Sequence, residues 1–413
     1  MEGFFKLKTP DEVFQIIDGF SPVGHEAVSL ENALGRVLSR DLIAPEDLPD
    51  FFKSTMDGYA VQAGSTFGAT ESLPALLETA GEIAMGQAEK IGLHAGQAIK
   101  IPTGGMLPEG ADGVVMVEHC TPLDAETLEV SRAISPLENI IQPGDDFKRG
   151  SVILSMGKRL RPQDLGVLAG LGFCEIPVFQ RPRIAILSTG DEIVPATDRP
   201  MPGQVRDINR YTLGALCRNM GAVPIHMGLC PDHFETLREM VGKALSEADA
   251  LWISGASSVG TRDFTLDVFE TLPDFTLLVH GISISPGKPT IIGRSGGKYV
   301  IGLPGHPASA LVAAEIFMTR MIETLSGVMG ARHGVHTVKQ AVLKRNIPSS
   351  GGREDYVRVK LENHREGLIA IPMFGKSGLI STLVEGDGLV RIDMNTEGLY
   401  EGQSIDVMLF SHT

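Results

Sequence analysis

The chain is short of paired cysteines, of cations and of long apolar runs, and each shortage closes off a class of protein. Its four cysteines, Cys120, Cys174, Cys217 and Cys230, stand far apart with no C-x-x-C pair among them. That spacing argues against a zinc site and against a disulfide framework, and it fits a reducing cytoplasm. Lysine and arginine number 36 against 51 aspartates and glutamates, a formal net charge of −15. A general nucleic-acid binder needs the opposite balance. Anionic ligands stay open, because backbone N–H groups and a few local cations can hold an anion in an acidic protein. No run approaches the roughly 18 apolar residues of a membrane helix. The opening MEGFFKLKTPDEVF carries acids early and has no long apolar core, which argues against a signal peptide. What remains is an ordinary soluble composition, 43% hydrophobic and 21% charged, with length for roughly two to four domains.

TPDEVFQIIDG predicts a helix over 9–19, with Thr9 as N-cap, Pro10 at the first helical position and Gly19 as its stop. SLENALGRVLS predicts a second over 29–39, on apolar i, i+3, i+4 spacing from a Ser29 start. Between about 52 and 139, short alternating segments broken by Gly and Pro read as a small β domain. RPQDLGVLAGLG (161–172) reads as a helix. From 181 strands alternate with helices: RIAILSTGDE, NRYTLGALCRNMG, VPIHMGLC, DHFETLREMVGKALSEA capped by Asp232, DALWISGASSVG, then KYVIGLPG with a helix after it. This order predicts a doubly wound, largely parallel sheet whose ligands bind at the carboxyl ends of its strands. From about 333 only short β-type segments remain, which predicts a separate all-β domain.

Three strand ends carry unusual loops: STGDE (188–192), SGASSVGTRD (254–263) and GLPGHPASA (302–310). In a parallel sheet all three face one side. Gly255 and Gly260 permit close backbone approach, Ser257 and Ser258 supply hydroxyls, and free N–H groups at the helix starts favour a phosphate or another oxyanion. The same edge collects Asp191, Glu192, Asp207, Asp232 and Asp263. Asp232 also reads as a plain helix cap. Carboxylates beside a phosphate suggest Mg²⁺, which prefers oxygen ligands. SPGKP offers Lys288 between Pro286 and Pro289; alone it reads as a solvated turn lysine. In STMDGYAV, Asp57 precedes a glycine and reads as a turn residue. IPTGGMLPEGADGVVMVE (101–118) reads as a hairpin region with Thr103 at its start. The residues by themselves predict an α/β protein that binds a phosphorylated small molecule with Mg²⁺.

Taken in order, STMDGYAV, IPTGGMLPEGADGVVMVE, PGDDFKRGSVIL, STGDEI, GQVRDINR, SGASSVGTRDFT, SPGKPTIIG, GLPGHPASA and GKSGLIS resemble the molybdopterin molybdenumtransferase family, which also includes the C-terminal domain of gephyrin. The resemblance spans nearly the whole chain. It implies a multidomain α/β and β fold. An elongated N-terminal domain (1–50 and 140–180) accepts an inserted β domain (51–139), followed by a doubly wound α/β pterin-binding domain (181–330) and a C-terminal β barrel (331–413). The first helix is free to pack on the α/β domain. The implied reaction binds adenylylated molybdopterin and molybdate, delivers the metal oxyanion to the dithiolene sulfurs and releases AMP, with Mg²⁺ or another divalent cation. Family members are cytoplasmic homodimers whose site lies between one subunit's α/β domain and the other's β domain. The molybdopterin adenylyltransferase and cofactor-receiving enzymes are the implied partners, with no nucleic acid and no membrane.

Residue by residue, the resemblance gives catalytic weight to Asp57, Lys288, Glu192 and Asp263, with Asp57 and Thr103 approaching from the partner subunit. Glu192, Asp232 and Asp263 match the metal and phosphate side. Ser188, Thr189, Gly190, Asp191, Asp207, Gly255, Ser257, Ser258, Gly260, Pro304 and Gly305 match the substrate-binding strand ends. Lys288, Ser309, Ser377 and one or both of Arg353 and Arg358 match the molybdate pocket. This chain departs from the family in having Ser285 and Gly281 where lysines are common and IIQPGDD where an arginine precedes Gly144. Fewer cations imply weaker oxyanion binding and leave molybdate and tungstate both open. Two other readings remain: an adenylyltransferase-like enzyme on the same α/β module, and a non-catalytic pterin-binding scaffold. The β segments at both ends speak against the first, and the lack of a low-complexity linker speaks against the second.

Overall fold

Helix α1 (Pro10–Asp18) forms because both of its ends are satisfied locally. The Thr9 hydroxyl accepts from the Glu12 N–H at 3.3 Å, and the Glu12 carboxylate accepts from the Thr9 N–H at 2.8 Å. Val13 and Ile17, one turn apart, are fully buried. The helix expected over 29–39 does not form. A single 3₁₀ turn covers Leu30–Asn32, Gly35 turns left-handed at φ +72°, and Val37 and Leu38 bridge Arg159 and Val178. The apolar spacing there serves extended chain, and the left-handed glycine ends any helix.

The computed structural model describes residues 7–86, 92–255, 264–329, 337–365, 367–376 and 378–410. The chain forms two compact units. The larger holds Met1–Arg40, Met156–Arg161 and Glu175–Thr413; the smaller holds Asp41–Ser155 and Pro162–Cys174.

In the smaller unit, β1 (Gly58–Val61), β2 (Ala75–Glu82), β3 (Gln97–Ile101), β4 (Gly113–Met116), β5 (Cys120–Pro122) and β6 (Thr127–Val130) make one sheet in the order β4-β1-β3-β2-β6-β5. The expected hairpin over 101–118 is absent, because β3 and β4 pair with opposite edges of β1 rather than with each other. Gly58 allows this. A Cβ there would lie 2.0 Å from the Val115 carbonyl oxygen. Helix α2 (Pro162–Gly170) also belongs to this unit.

The larger unit carries the doubly wound sheet. Its elements are β7 (Arg183–Thr189), α3 (Asn209–Asn219), β8 (Val223–Cys230), α4 (Phe234–Glu247), β9 (Ala250–Ser254), α5 (Phe264–Glu270), β10 (Thr276–His280), the short β11 (Ile284–Ser285), β12 (Ile291–Ser295) and β13 (Lys298–Leu303). The order is β8-β7-β9-β13-β12-β10, parallel from β8 to β13 and antiparallel beyond. Ile184, Ile186, Trp252 and Ile301 pack in one core with Val13 and Leu213. Ala185, Leu187, Leu251 and Ile253 pack in another with Leu237, Val241 and Phe269. Alternate side chains thus enter two cores, which is why these strands read as unbroken apolar runs. After β13 a continuous helical stretch follows: α6 (Pro307–Ala313), a π turn (Ala314–Met318) and α7 (Thr319–Leu325). The cap of α4 is His233, whose ring accepts from the Thr236 N–H, and not Asp232 as the sequence suggested. The Asp232 N–H donates instead to Asp191 Oδ1 at 3.1 Å.

The C-terminal strands β14 (Val338–Leu343), β15 (Glu354–His364), β16 (Gly367–Pro372), β17 (Gly388–Ile392) and β18 (Ser404–Leu409) close into a barrel in the order β14-β18-β17-β15-β16 and back to β14. Ala341, Val359, Ala370, Val390 and Val407 fill it. Strand β11 adds in parallel to β15, with Ile284 opposite Glu354 and Ser285 opposite Asp355. This pairing brings the SPGKP turn to the barrel wall.

Trp252 is the largest fully buried side chain, and its indole N–H has no partner. Trp252→Ala is expected to lower the stability of the larger unit by about 3–5 kcal/mol in chemical denaturation followed by circular dichroism. Trp252→Phe should cost well under half of that, since it also removes an unsatisfied donor.

Candidate functional site

The carboxyl ends of β7, β9 and β13 meet at one edge of the sheet, packed so closely that only backbone fits between them. A Cβ on Gly255 would lie 2.3 Å from the Thr189 carbonyl oxygen, and one on Gly305 would lie 3.3 Å from the Gly255 Cα. Gly190 and Gly255 take φ values of +143° and +112°, which bulkier residues resist. Ser188, Thr189 and Pro304 are buried at this edge. Asn209 fastens it: its Nδ2 donates to Ser254 Oγ at 2.5 Å and to the Gly305 carbonyl at 2.8 Å. Sequence reasoning passed over Asn209, although it lies in GQVRDINR two residues after Asp207. A polar amide opening an otherwise apolar-faced helix was the available signal.

Among the described residues, three buried atoms of these segments have no hydrogen-bond partner: Ser188 Oγ, Asp207 Oδ2 and Asn209 Oδ1. Asp207 uses only Oδ1, which accepts from the Arg210 N–H at 3.1 Å. Unsatisfied buried polar groups are uncommon and costly in native folds. Their grouping here fits a site that completes its hydrogen bonds with a polar ligand.

Beside this edge, burial pushes the Asp232 carboxyl above its ordinary value, and the neighbouring Asp191 and Glu192 carboxylates push it further. These carboxylates are the oxygen donors a hard cation takes. Among the described residues, no three His, Cys, Asp or Glu side chains close on one point tightly enough to form a complete metal set. Asp263, Ser257, Ser258 and Gly260 lie outside the described residues.

A cavity of about 490 Å³ lies where the SPGKP turn meets the barrel, with Lys288, Ser309, Arg353 and Arg358 in its wall. Four of the five residues expected for the oxyanion therefore share one cavity; the fifth, Ser377, lies outside the described residues. Arg358 is only 6% exposed. Its Nη2 donates to the Gly375 carbonyl at 3.0 Å, its Nε has no partner, and burial lowers its pKa. Arg353 differs: its Nε pairs with Asp355 Oδ1 at 3.0 Å, so its charge is already answered. Lys288 is exposed at the cavity wall. Ser285 lines the same cavity, whereas Gly281 sits at φ +88°, a backbone that a lysine adopts only with strain.

GLPGHPASA joins the two places. Pro304 and Gly305 end β13 at the strand edge, Pro307 starts α6, and Ser309 reaches the cavity wall. In the smaller unit, Asp57 and Thr103 meet directly. Asp57 Oδ1 accepts from the Thr103 N–H at 2.7 Å and from its hydroxyl at 2.9 Å. The backbone bond first, then the hydroxyl, hold the Asp57 carboxyl below its ordinary value.

A doubly wound sheet with backbone-packed strand ends, joined to a β barrel whose cavity is lined by Lys288, Arg353 and Arg358, defines a multidomain α/β and β protein. Three family models cover the chain: MoeA N-terminal region (domain I and II) over residues 8–172, probable molybdopterin binding domain over 185–324, and MoeA C-terminal region (domain IV) over 340–410. A relative from Methanocaldococcus jannaschii is 37% identical, across 92% of this chain and 91% of its own. The molybdopterin molybdenumtransferase of Haemophilus influenzae is 32% identical, across 95% of each chain. Two crystal structures of molybdopterin biosynthesis moeA proteins from Pyrococcus horikoshii superpose with TM-scores of 0.83 and 0.85. They are 34% and 30% identical, covering 99% and 98% of this chain and 100% of theirs. The chain belongs to the molybdopterin molybdenumtransferase (MoeA) family.

The raised Asp232 carboxyl has a consequence for stability. The folded state binds that proton more tightly than the unfolded state does, so stability falls as pH rises from the ordinary carboxylate value through the raised one. Asp232→Asn removes this loss. In denaturant titrations the variant should exceed the parent at about pH 7, and the gap should close towards about pH 4. Parallel curves for the two proteins would mean that Asp232 carries no such penalty.

Proposed function

We propose that this chain inserts molybdenum from molybdate into adenylylated molybdopterin and releases AMP. The observation that carries the reading is Arg358, a buried guanidinium with an unpartnered Nε, in the same cavity wall as Lys288 and Ser309. Molybdate, as substrate, is a dianion with four acceptor oxygens, and Lys, Arg and Ser are the donors it needs. Tungstate has the same charge and shape and is the alternative oxyanion. The strand-end edge of Ser188, Thr189, Gly255 and Gly305 takes the phosphate-bearing part of the pterin substrate, where backbone can approach closely.

The two dithiolene sulfurs, as thiolates, bond to molybdenum while one molybdate oxygen takes two protons from solvent and leaves as water. A second water cleaves the phosphoanhydride to free AMP and the pterin phosphate; no general base is needed to generate the sulfur nucleophiles. The work of the protein is to hold two mutually repelling anions together and to stabilise the departing AMP. Asp191, Glu192 and Asp232, with Asp263, would hold Mg²⁺, which neutralises phosphate charge when bound. The same reading makes the protein a cytoplasmic homodimer in which Asp57 and Thr103 of one subunit serve the other's reaction. An adenylyltransferase supplies the substrate, and molybdenum enzymes receive the product.

The test is AMP release from adenylylated molybdopterin on addition of molybdate and Mg²⁺. Lys288→Ala and Asp57→Ala should each abolish it, with Lys288→Ala losing about 1.5–3 kcal/mol of oxyanion affinity and keeping the pterin. Mixing the two inactive variants under subunit exchange should return about a quarter of the parent activity, since about half the dimers are mixed and each holds one intact site. A parent without AMP release would overturn the activity; inactive mixtures would overturn the shared site.

A further inference from the structure

Phe374 follows β16 and lines the cavity, yet oxyanion binding gives it no task. It is a large aromatic side chain left 54% exposed. It is also braced from one side. The Arg345 guanidinium lies 5.1 Å from its ring centroid, and Arg345 Nη2 is itself held by the Pro372 carbonyl at 2.6 Å. A fixed aromatic ring whose remaining surface opens on a cavity is the arrangement that binds flat ligands by stacking.

The cavity has room for more than a metal oxyanion. Its volume of about 490 Å³ lies in the range of sites for whole small molecules. Its walls carry two chemistries: Lys288, Arg358 and Ser309 are polar, whereas Ile347, Met373 and Phe374 are apolar. Metal insertion demands that the dithiolene sulfurs touch the oxyanion. The fused ring system attached to that dithiolene then falls within a few bond lengths of the cations, inside the same cavity.

We infer that Phe374 is the platform on which the flat pyrimidine ring of the substrate's reduced pterin stacks during metal insertion, with Arg345 holding the platform in place. This rests on the activity proposed above. Phe374 touches the part of the substrate that does not react, so it sets pterin affinity and orientation rather than oxyanion affinity.

The test titrates metal-free molybdopterin, and separately molybdate, into the full chain and its variants under anaerobic conditions. Phe374→Ala is expected to weaken molybdopterin binding by on the order of tenfold and to leave molybdate affinity unchanged. Phe374→Trp should restore the pterin affinity. Its indole adds a reporter beside the native Trp252, which is fully buried, and its fluorescence should be quenched on pterin binding. Unchanged pterin affinity in Phe374→Ala would overturn the platform and leave the proposed activity standing; so would an unquenched Phe374→Trp, or equal loss of both ligands. A parent that binds no molybdopterin would overturn both.

Discussion

A positive charge buried with no acid paired to it among the described residues is the constraint around which this molecule makes sense. Arg358 sits in the barrel wall at 6% exposure, with one carbonyl partner and an idle Nε. An uncompensated buried charge is among the costliest things a fold can hold. The neighbouring Arg353 shows the ordinary solution, since Asp355 pairs with it at 3.0 Å. Among the described residues Arg358 has no such partner, and that setting is what the proposed oxyanion role calls for. The β11–β15 pairing brings Lys288's turn to the barrel, and the helix after β13 adds Ser309.

The two halves of the site are built on different principles. At the strand edge, glycines at 255 and 305 let backbone meet backbone, and Asn209 locks the contact with two hydrogen bonds. In the cavity, side chains do the work. GLPGHPASA has to serve both within nine residues, which accounts for its odd composition. Gly305 lies close against Gly255, where an added Cβ would stand 3.3 Å from the Gly255 Cα. Pro304 closes the strand, Pro307 opens the helix at its first position, and Ser309 is delivered to the cavity. The missing lysine at Gly281 has a backbone reason, because that residue turns left-handed.

Most of the fold was legible in the sequence. The alternation of apolar strands with capped helices pointed to the sheet, the short β segments pointed to a separate all-β domain, and only the family resemblance implied that this domain is a barrel. Two of the misses share a cause: local pattern competing with pairing partners distant in sequence. The apolar spacing of 29–39 looked helical, but Gly35 and the bridges of Val37 and Leu38 to residues 159 and 178 decided the outcome. The 101–118 hairpin failed because β1, some forty residues earlier, separates β3 from β4. Asp232 looked like a cap, but a histidine one residue on took that place. Within the site, charged and glycine-bearing motifs announced themselves. Asn209 and Phe374 did not, since an amide and a phenyl ring gain their meaning only from what packs beside them.

The measurement that bears most directly on this account is calorimetric titration of molybdate into the parent and into Arg358→Met, paired with thermal melts without oxyanion. If Arg358 is kept for a ligand, the methionine variant melts no lower than the parent, because an apolar side chain of similar length replaces a costly buried charge. It should also bind molybdate at least about tenfold more weakly, as a lost charge-assisted contact demands. A variant that unfolds more easily yet binds molybdate like the parent would mean that Arg358 serves the barrel and not the oxyanion, and the account would fail at its centre.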